Sequence, residues 1–360
     1  YSYIKGITQT SFLPTANPLI INGNFAVAQR STSVAGITGS TNDYYTCDRW
    51  QFDTNDSSVW TQSQDTDVPS GYGFGKSFKL DCTTLDATPE FTVIKQSMEG
   101  QDLQMLKKGT ANAEKLTVAF WVKSVKTGTY ICELRDFDNN RTVSQAYTID
   151  SGSTWEKKIV NFPADTTGAL DDDNARSFYV GFFLAVGSTY SSGTLATSWE
   201  SRTNANRAVG QVNLADSTSN NFWITGVQME VGEYTSADLP PFRHETYGDN
   251  LERCCRYYQT CENFTGCAND TNYFLGNAPK QFRMRIDNPT LGNPTTIQIT
   301  DFYSADKNQT STGTISSLCD APDKFLLYLG GFGGALTAGR AMGGTRDNAN
   351  DNHITLSAEL

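Results

Sequence analysis

Histidine is almost missing from this chain: 360 residues carry two, His244 and His353. Neither has a Ser or Cys arranged beside it as a nucleophile, and no Gly-x-Ser-x-Gly occurs, which argues against a Ser-His-Asp triad. Cys-x-x-Cys pairs are absent too. A zinc site would have to be assembled from Cys255, Cys261, Cys267 and a fourth ligand, a spacing that zinc motifs do not favour. No run approaches the ~18 consecutive apolar residues of a membrane span. The opening YSYIKGITQT has no basic region followed by an apolar core, so no signal peptide is expected. Positive charge is also scarce. Lys and Arg total 28 against 39 Asp and Glu, a net charge of −11. That balance argues against a nucleic-acid partner, which needs a basic face, and favours solubility at high copy number.

Apolar residues make up only 38% of the chain, whereas aromatics reach 12%. Aromatic and Thr-rich segments joined by Gly, Asn and Asp turns read as all-β. Strands are predicted at 19–25, 49–53, 59–64, 77–82, 91–98, 115–124, 128–136, 141–149, 155–162, 178–186 and 222–231. Leu116, Val118, Phe120 and Val122 alternate with a period of two. About eleven strands at hairpin spacing make a two-sheet sandwich. The Pro240–Pro241 corner ends it, since neither helix nor central strand continues through such a pair. A short helix follows at 249–258, with acids first and arginines later, the order that a helix dipole favours. Shorter strands are expected at 273–275, 280–286, 296–303, 314–316, 325–329 and 353–358. The segment GGFGGALTAGRAMGG at 330–344 lacks the Gly-Lys-Ser/Thr ending of a phosphate loop and reads as a glycine-rich turn region.

The predicted architecture is therefore a lead-in at 1–17, a β-sandwich at 18–240, a linker helix at 241–260 and a small β-domain at 261–360. The lead-in and the small domain are too poor in apolar residues to stand alone, which points to assembly. Segment 187–220 is long and polar, a surface excursion of the kind that carries function or lies against a neighbour.

Several separated phrases match one known module. The run ITGVQMEVGEYTSADLPPFRHETYGDNLERCCRYYQ, starting at Ile224, resembles the end of the jelly-roll module of bacteriophage tail fibres and other phage virion proteins. LIINGNFAVAQRSTS at 19–33 resembles its opening strand, and CDRW at 47–50 its second signature. QSMEGQDLQML at 96–106, LTVAFWVKSVKTGTY at 116–130 and STWEKKIVNFPADTTG at 153–168 resemble its middle strands. FRMRIDNPT at 282–290 resembles the start of the strand-rich C-terminal domain that often follows. The resemblance implies a jelly-roll sandwich in a non-enzymatic virion protein, assembled in the host cytoplasm as a homotrimer. Its implied partners are other virion proteins and host surface polysaccharide, without membrane insertion. A capsid- or tail-decorating role without a sugar ligand is the alternative, and a polysaccharide depolymerase a further one.

Site residues follow from what such functions need. Sugar binding needs exposed rings that stack on pyranose faces. Trp50, Trp121, Trp155 and Trp223 sit beside apolar residues in strands and are expected in the core. Trp60, with polar neighbours Thr61 and Gln62, and Tyr190 and Trp199 of the excursion are the candidate ligand surface. Carbohydrate modules related to this one often hold a structural calcium between first and last strands. Asn22, Asn24 and Glu230 are the candidate ligands here, although Thr225–Gly226 stand where relatives have paired acids. For a glycosidase pair, Glu99, Glu133, Asp136, Asp138, Glu200 and Glu230 are available, but solvated strand faces and turns explain them more simply. Of the eight cysteines, Cys47, Cys82 and Cys132 read as buried strand residues, and Cys261 and Cys267 as a disulfide or free thiols.

Overall fold

The computed structural model describes residues 18–261 throughout and part of 262–360, mainly its strands. Segment 1–17, and most of the glycine-rich stretch 330–344, lie outside the described residues. The central element is one long strand, β2 (Gln51–Asp65). Its first residues, Gln51–Thr54, pair with β4 (Phe91–Glu99), and its second half, Val59–Asp65, pairs with β3 (Ser77–Thr84). Between these pairings β2 changes sheets, so the two predicted strands 49–53 and 59–64 are one strand that turns a corner.

One half-sheet runs β10 (Glu200–Ser201), β7 (Arg141–Ile149), β6 (Gly128–Asp136), β9 (Arg176–Val186), β4, β2. The other runs β2, β3, β11 (Asn221–Val231), β5 (Leu116–Ser124), β8 (Glu156–Phe162). All these pairings are antiparallel. The halves face each other across an aromatic core. Phe120 of β5 meets Phe182 of β9 at 4.8 Å and Tyr147 of β7 at 5.0 Å. Tyr130 of β6 meets Phe222 of β11 at 6.0 Å. This is the all-β sandwich that the strand pattern predicts, in the jelly-roll form that the resemblance implies.

Two expectations near the N-terminus fail. The 19–25 segment is not a strand, because Asn22 and Phe25 adopt left-handed φ values of 55° and 54°. It is buried all the same, with Ile20 and Phe25 in the core. An unexpected edge strand, β1 (Ser33–Asp43), pairs with β2 through two register shifts. Its SVAGITGSTND sequence reads as turns, and Gly36 and Gly39 do take positive φ. Cys47 is buried as expected, but on a turn rather than in a strand.

The 187–220 excursion lies on its own sandwich. It contains helix α1 (Ser188–Ser191) and β10, and its Leu195 and Ala208 pack with Val93, Ile131 and Phe183 on the outer face of the first half-sheet. Arg207 fastens it there by a two-pronged contact with Glu133, at 2.7 and 2.8 Å.

Beyond the proline corner, helix α2 (Tyr247–Cys255) begins earlier and ends sooner than predicted. The Thr246 hydroxyl caps it, accepting from the Asp249 N–H at 3.2 Å. The chain then enters β12 (Tyr258–Cys261), β13 (Phe264–Ala268), β14 (Phe274–Pro279), β15 (Thr290–Gly292), β16 (Ile297–Asp301), β17 (Asn308–Ser311), β18 (Ile315–Ala321), β19 (Lys324–Leu329), β20 (Ala341–Thr345) and β21 (Ile354–Ser357). These form a three-stranded sheet, β12-β21-β15, and a seven-stranded one, β17-β16-β20-β13-β14-β19-β18. The predicted strand at 280–286 is not formed at 282–286. Cys267 is exposed and unbridged, and the Cys261 side chain lies outside the described residues.

Candidate functional site

Alternation in β5 and β11 decides where the rings point. Phe120 and Val122 face the core, as do Phe222 and Ile224, so Trp121, Lys123 and Trp223 face outward. Cross-strand register brings them together. Trp223 lies opposite Lys79 of β3 on one side and Lys123 of β5 on the other. Trp121 lies opposite Thr225 and Lys157. Trp155, just before β8, completes the row beyond Lys123. The Lys123 ammonium sits 4.1 Å from the centre of the Trp223 ring and 5.5 Å from that of Trp155. Tyr72, from the β2–β3 loop, is 55% exposed and packs on Trp121 at 4.2 Å, tilted 45°.

Two carboxylates, from the last residue of β2 and from just beyond it, hold two of these rings. The Trp223 indole N–H donates to Asp65 at 3.1 Å, and that of Trp155 to Asp67 at 2.9 Å. Lys123 also pairs with Asp67. Partial burial would raise both carboxyl pKa values. It is outweighed at Asp65 by the Trp223 indole, backbone N–H groups and Lys79, and at Asp67 by Lys123 and Trp155, so both sit below the ordinary range. The result is a fixed, half-exposed platform of three indoles and a phenol, with ammonium and carboxylate groups between them. Such a surface can stack on the C–H faces of pyranose rings while its polar groups meet hydroxyls. Neither aspartate is tuned as a proton donor, which general acid catalysis would need.

The tryptophan assignments are thus corrected. Trp60 faces the core with no exposed surface, its indole N–H held by Ser58 at 2.6 Å and its ring against Phe52. It shares the inward phase of Phe52, so its polar neighbours do not mark a surface. Trp121, Trp155 and Trp223, expected inside, lie outside; Trp50 is in the core. The signal was in the sequence: the alternation that sends Phe120 and Val122 inward sends Trp121 outward. Tyr190 packs on Phe91 at 5.2 Å. Trp199 packs on Phe178 at 5.8 Å, and its indole N–H donates to the Pro163 carbonyl at 2.9 Å. Both are partly buried on the first half-sheet, away from the platform strands.

Asn22 and Asn24 do meet, but at Asn250 of α2, whose amide donates to both side-chain oxygens at 3.2 Å. The Asn22 amide also donates to the Val27 and Asp48 carbonyls. Glu230 experiences Arg243 instead, and burial raises its pKa. The side-chain oxygens of Asn22 and Asn24 are thus already engaged by protein donors rather than left open for a calcium ion. Among the described residues, no group of three or more His, Cys, Asp and Glu side chains is placed to hold a metal ion. Of the acids weighed for catalysis, Asp138 is exposed in the β6–β7 turn as expected, but three others are not solvated. Glu99, Glu133 and Asp136 are buried and paired with Arg256, Arg207 and Lys108.

No family model and no curated protein matches the sequence. Among solved structures, the enzymatically active domain of tailspike protein 4 from bacteriophage CBA120 aligns over 59% of this chain and 21% of its own, at 15% identity and a TM-score of 0.32. The chain thus spans a minor part of that tailspike domain. A putative sugar-binding protein from Bacteroides thetaiotaomicron aligns over 60% of this chain and all of its own, at 12% identity and a TM-score of 0.31. The family 11 carbohydrate-binding module of a Clostridium thermocellum cellulase aligns over 57% and 99%, at 12% identity and a TM-score of 0.28.

Proposed function

We propose that this chain is a non-catalytic, glycan-binding component of a phage virion, a tail-fibre or receptor-binding part that presents its tryptophan platform to host surface polysaccharide. The carrying observation is the platform itself: Trp121, Trp155, Trp223 and Tyr72 side by side, with both indole N–H groups of the outer row tied down by Asp65 and Asp67. Rings fixed before binding lose little entropy when a sugar arrives. The virion setting rests on the sequence phrases that resemble phage fibre modules. Repetition in a homotrimer would turn weak single contacts into firm attachment. The architectural alternative called for the 187–220 excursion to be covered by a neighbour. Its inner side packs against its own half-sheet, which leaves less of it for a neighbour to cover.

The test is a glycan array and host-cell binding on the purified protein, with its mass by light scattering. Trp223→Ala and Trp155→Ala are expected to weaken binding about tenfold each. Tyr190→Ala and Trp199→Ala are expected to leave it unchanged. Binding that survives both platform changes, or no binding to any glycan or cell, defeats the proposal.

A further inference from the structure

A second cluster lies on the outer face of the other half-sheet. Arg135 of β6 sits beside Tyr179 of β9 and Thr142 of β7 in the ladder. Arg176 opens β9, and Arg202 follows β10, its backbone N–H bonded to the Asn140 carbonyl at 2.9 Å. Arg135 and Arg176 place their guanidinium carbons 4.2 and 3.9 Å from the centre of the Phe137 ring. All three arginines are partly buried.

Among the described residues none of the three makes an ion pair or a side-chain hydrogen bond, and the buried Nε atoms of Arg135 and Arg202 are unpartnered. The neighbouring acids are already taken. Glu133 accepts from Arg207, Thr142 and Tyr179, and Asp53 pairs with Lys95. Burial, and then the charge of Arg135, weaken the hold of Arg176 and Arg202 on their protons. Like charges gathered beside acids that already serve Lys95 and Arg207 are costly unless something anionic occupies them. The Phe137 ring holds Arg135 and Arg176 in place, and guanidinium N–H groups that no protein acceptor takes suit a planar oxyanion.

We infer that Arg135 and Arg176 on Phe137, with Arg202 beside the Asn140 turn, form an oxyanion site that takes the acidic group of a charged sugar residue, separate from the tryptophan platform. It rests on the glycan-binding reading for the sugar but not for the oxyanion, so the two are tested apart. Isothermal titration of the full chain with glucuronate oligosaccharides, inorganic sulfate and neutral oligosaccharides, with chloride matched for ionic strength, separates the sources. Glucuronate and sulfate should both bind. Arg135→Gln and Arg176→Gln should each weaken both by about tenfold or more, the loss of a charge-assisted contact. Trp223→Ala should leave sulfate binding unchanged. Melting temperatures check folding: removing one of three crowded cations should not lower them, and sulfate should raise that of the wild type more than those of the variants. No binding of either anion overturns the inference, as does anion binding that persists in both arginine variants. Sulfate binding without glucuronate overturns its sugar part. Failure on neutral glycans alone bears on the platform and not on this site.

Discussion

Replacing Arg207 with Met tests the buried charge that anchors the excursion. The Glu133 carboxylate is wholly inside the protein and accepts four hydrogen bonds: two from Arg207 at 2.7 and 2.8 Å, one from Thr142 at 2.7 Å, and one from the Tyr179 hydroxyl. Arg207→Met removes two of the four donors and the paired cation while keeping most of the apolar stem. Breaking a buried pair from one side costs about 3–5 kcal/mol. At roughly 2–4 °C per kcal/mol for a domain of this size, the melting temperature should fall by about 6–20 °C. The pH dependence provides a second, independent readout. Burial alone would raise the Glu133 pKa, but Arg207, Tyr179 and Thr142 bring it below the ordinary value. In the wild type the pair therefore contributes stability above the unfolded carboxylate pKa, and that contribution is lost as pH falls through the folded one. In Arg207→Met burial is far less opposed and the folded pKa rises. The native state then binds the extra proton, and stability falls as pH climbs from about 4 to 7. The deficit of the variant, read from urea midpoints, should shrink clearly between pH 7 and pH 4.5. A loss below about 1 kcal/mol, or an equal loss at both pH values, would refute the reasoning. Glu133→Leu combined with Arg207→Met should recover much of the stability, because no bare charge remains.

Three further expectations are independent of that pair. Gly226 has φ +61° and an added Cβ would collide with the Phe74 ring, so Gly226→Ala should cost more than about 1 kcal/mol in urea unfolding and disturb the β2–β3 loop that carries Tyr72. Burial pushes Asp48 up to about 6, against Arg30 and Gln29, so the native state holds more protons than the unfolded chain between about pH 4 and 6. Stability should decline with rising pH across that window, and Asp48→Asn should flatten the slope; an unchanged slope counts against the assignment. Exposed Cys267 should react with a maleimide in the native state well before buried Cys47, Cys82, Cys132 and Cys254, as peptide mapping of labelled protein would show.

The strand framework was legible because period-two alternation survives even in an apolar-poor chain. β6 and β7 fall at the expected bounds, 128–136 and 141–149. β1 was hidden because its glycines resemble turns, and it is held by pairing with β2 more than by burial. The segment 19–25 looked like a strand because its side chains are buried, yet its left-handed residues serve a loop packed against Val227 and Gln96. The site was less legible because neighbouring residues suggest polarity whereas phase decides exposure. Trp60 is polar-flanked and buried; Trp223 is apolar-flanked and half-exposed. The arginine cluster draws on β6, β9 and the segment after β10, and proximity of that kind is set by sheet order rather than by any local spacing.

β11 supplies the last strand of the sandwich, and its position in the chain governs how the platform comes to exist. Asn221–Ile224 reach back to β3, and Phe222–Val231 to β5, both far earlier in sequence. Until β11 arrives, β3 and β5 each present an unpaired edge. Closure entropy makes such long-range pairing slow, and open edges of this kind invite association between nascent chains. Trp223 enters with that strand, so the ring row is completed only in the closed sandwich. Glycan affinity would then serve as a gauge of finished folding. During refolding, binding capacity should appear with the slowest phase of Trp223 burial, and chains trapped before it should aggregate without ever binding.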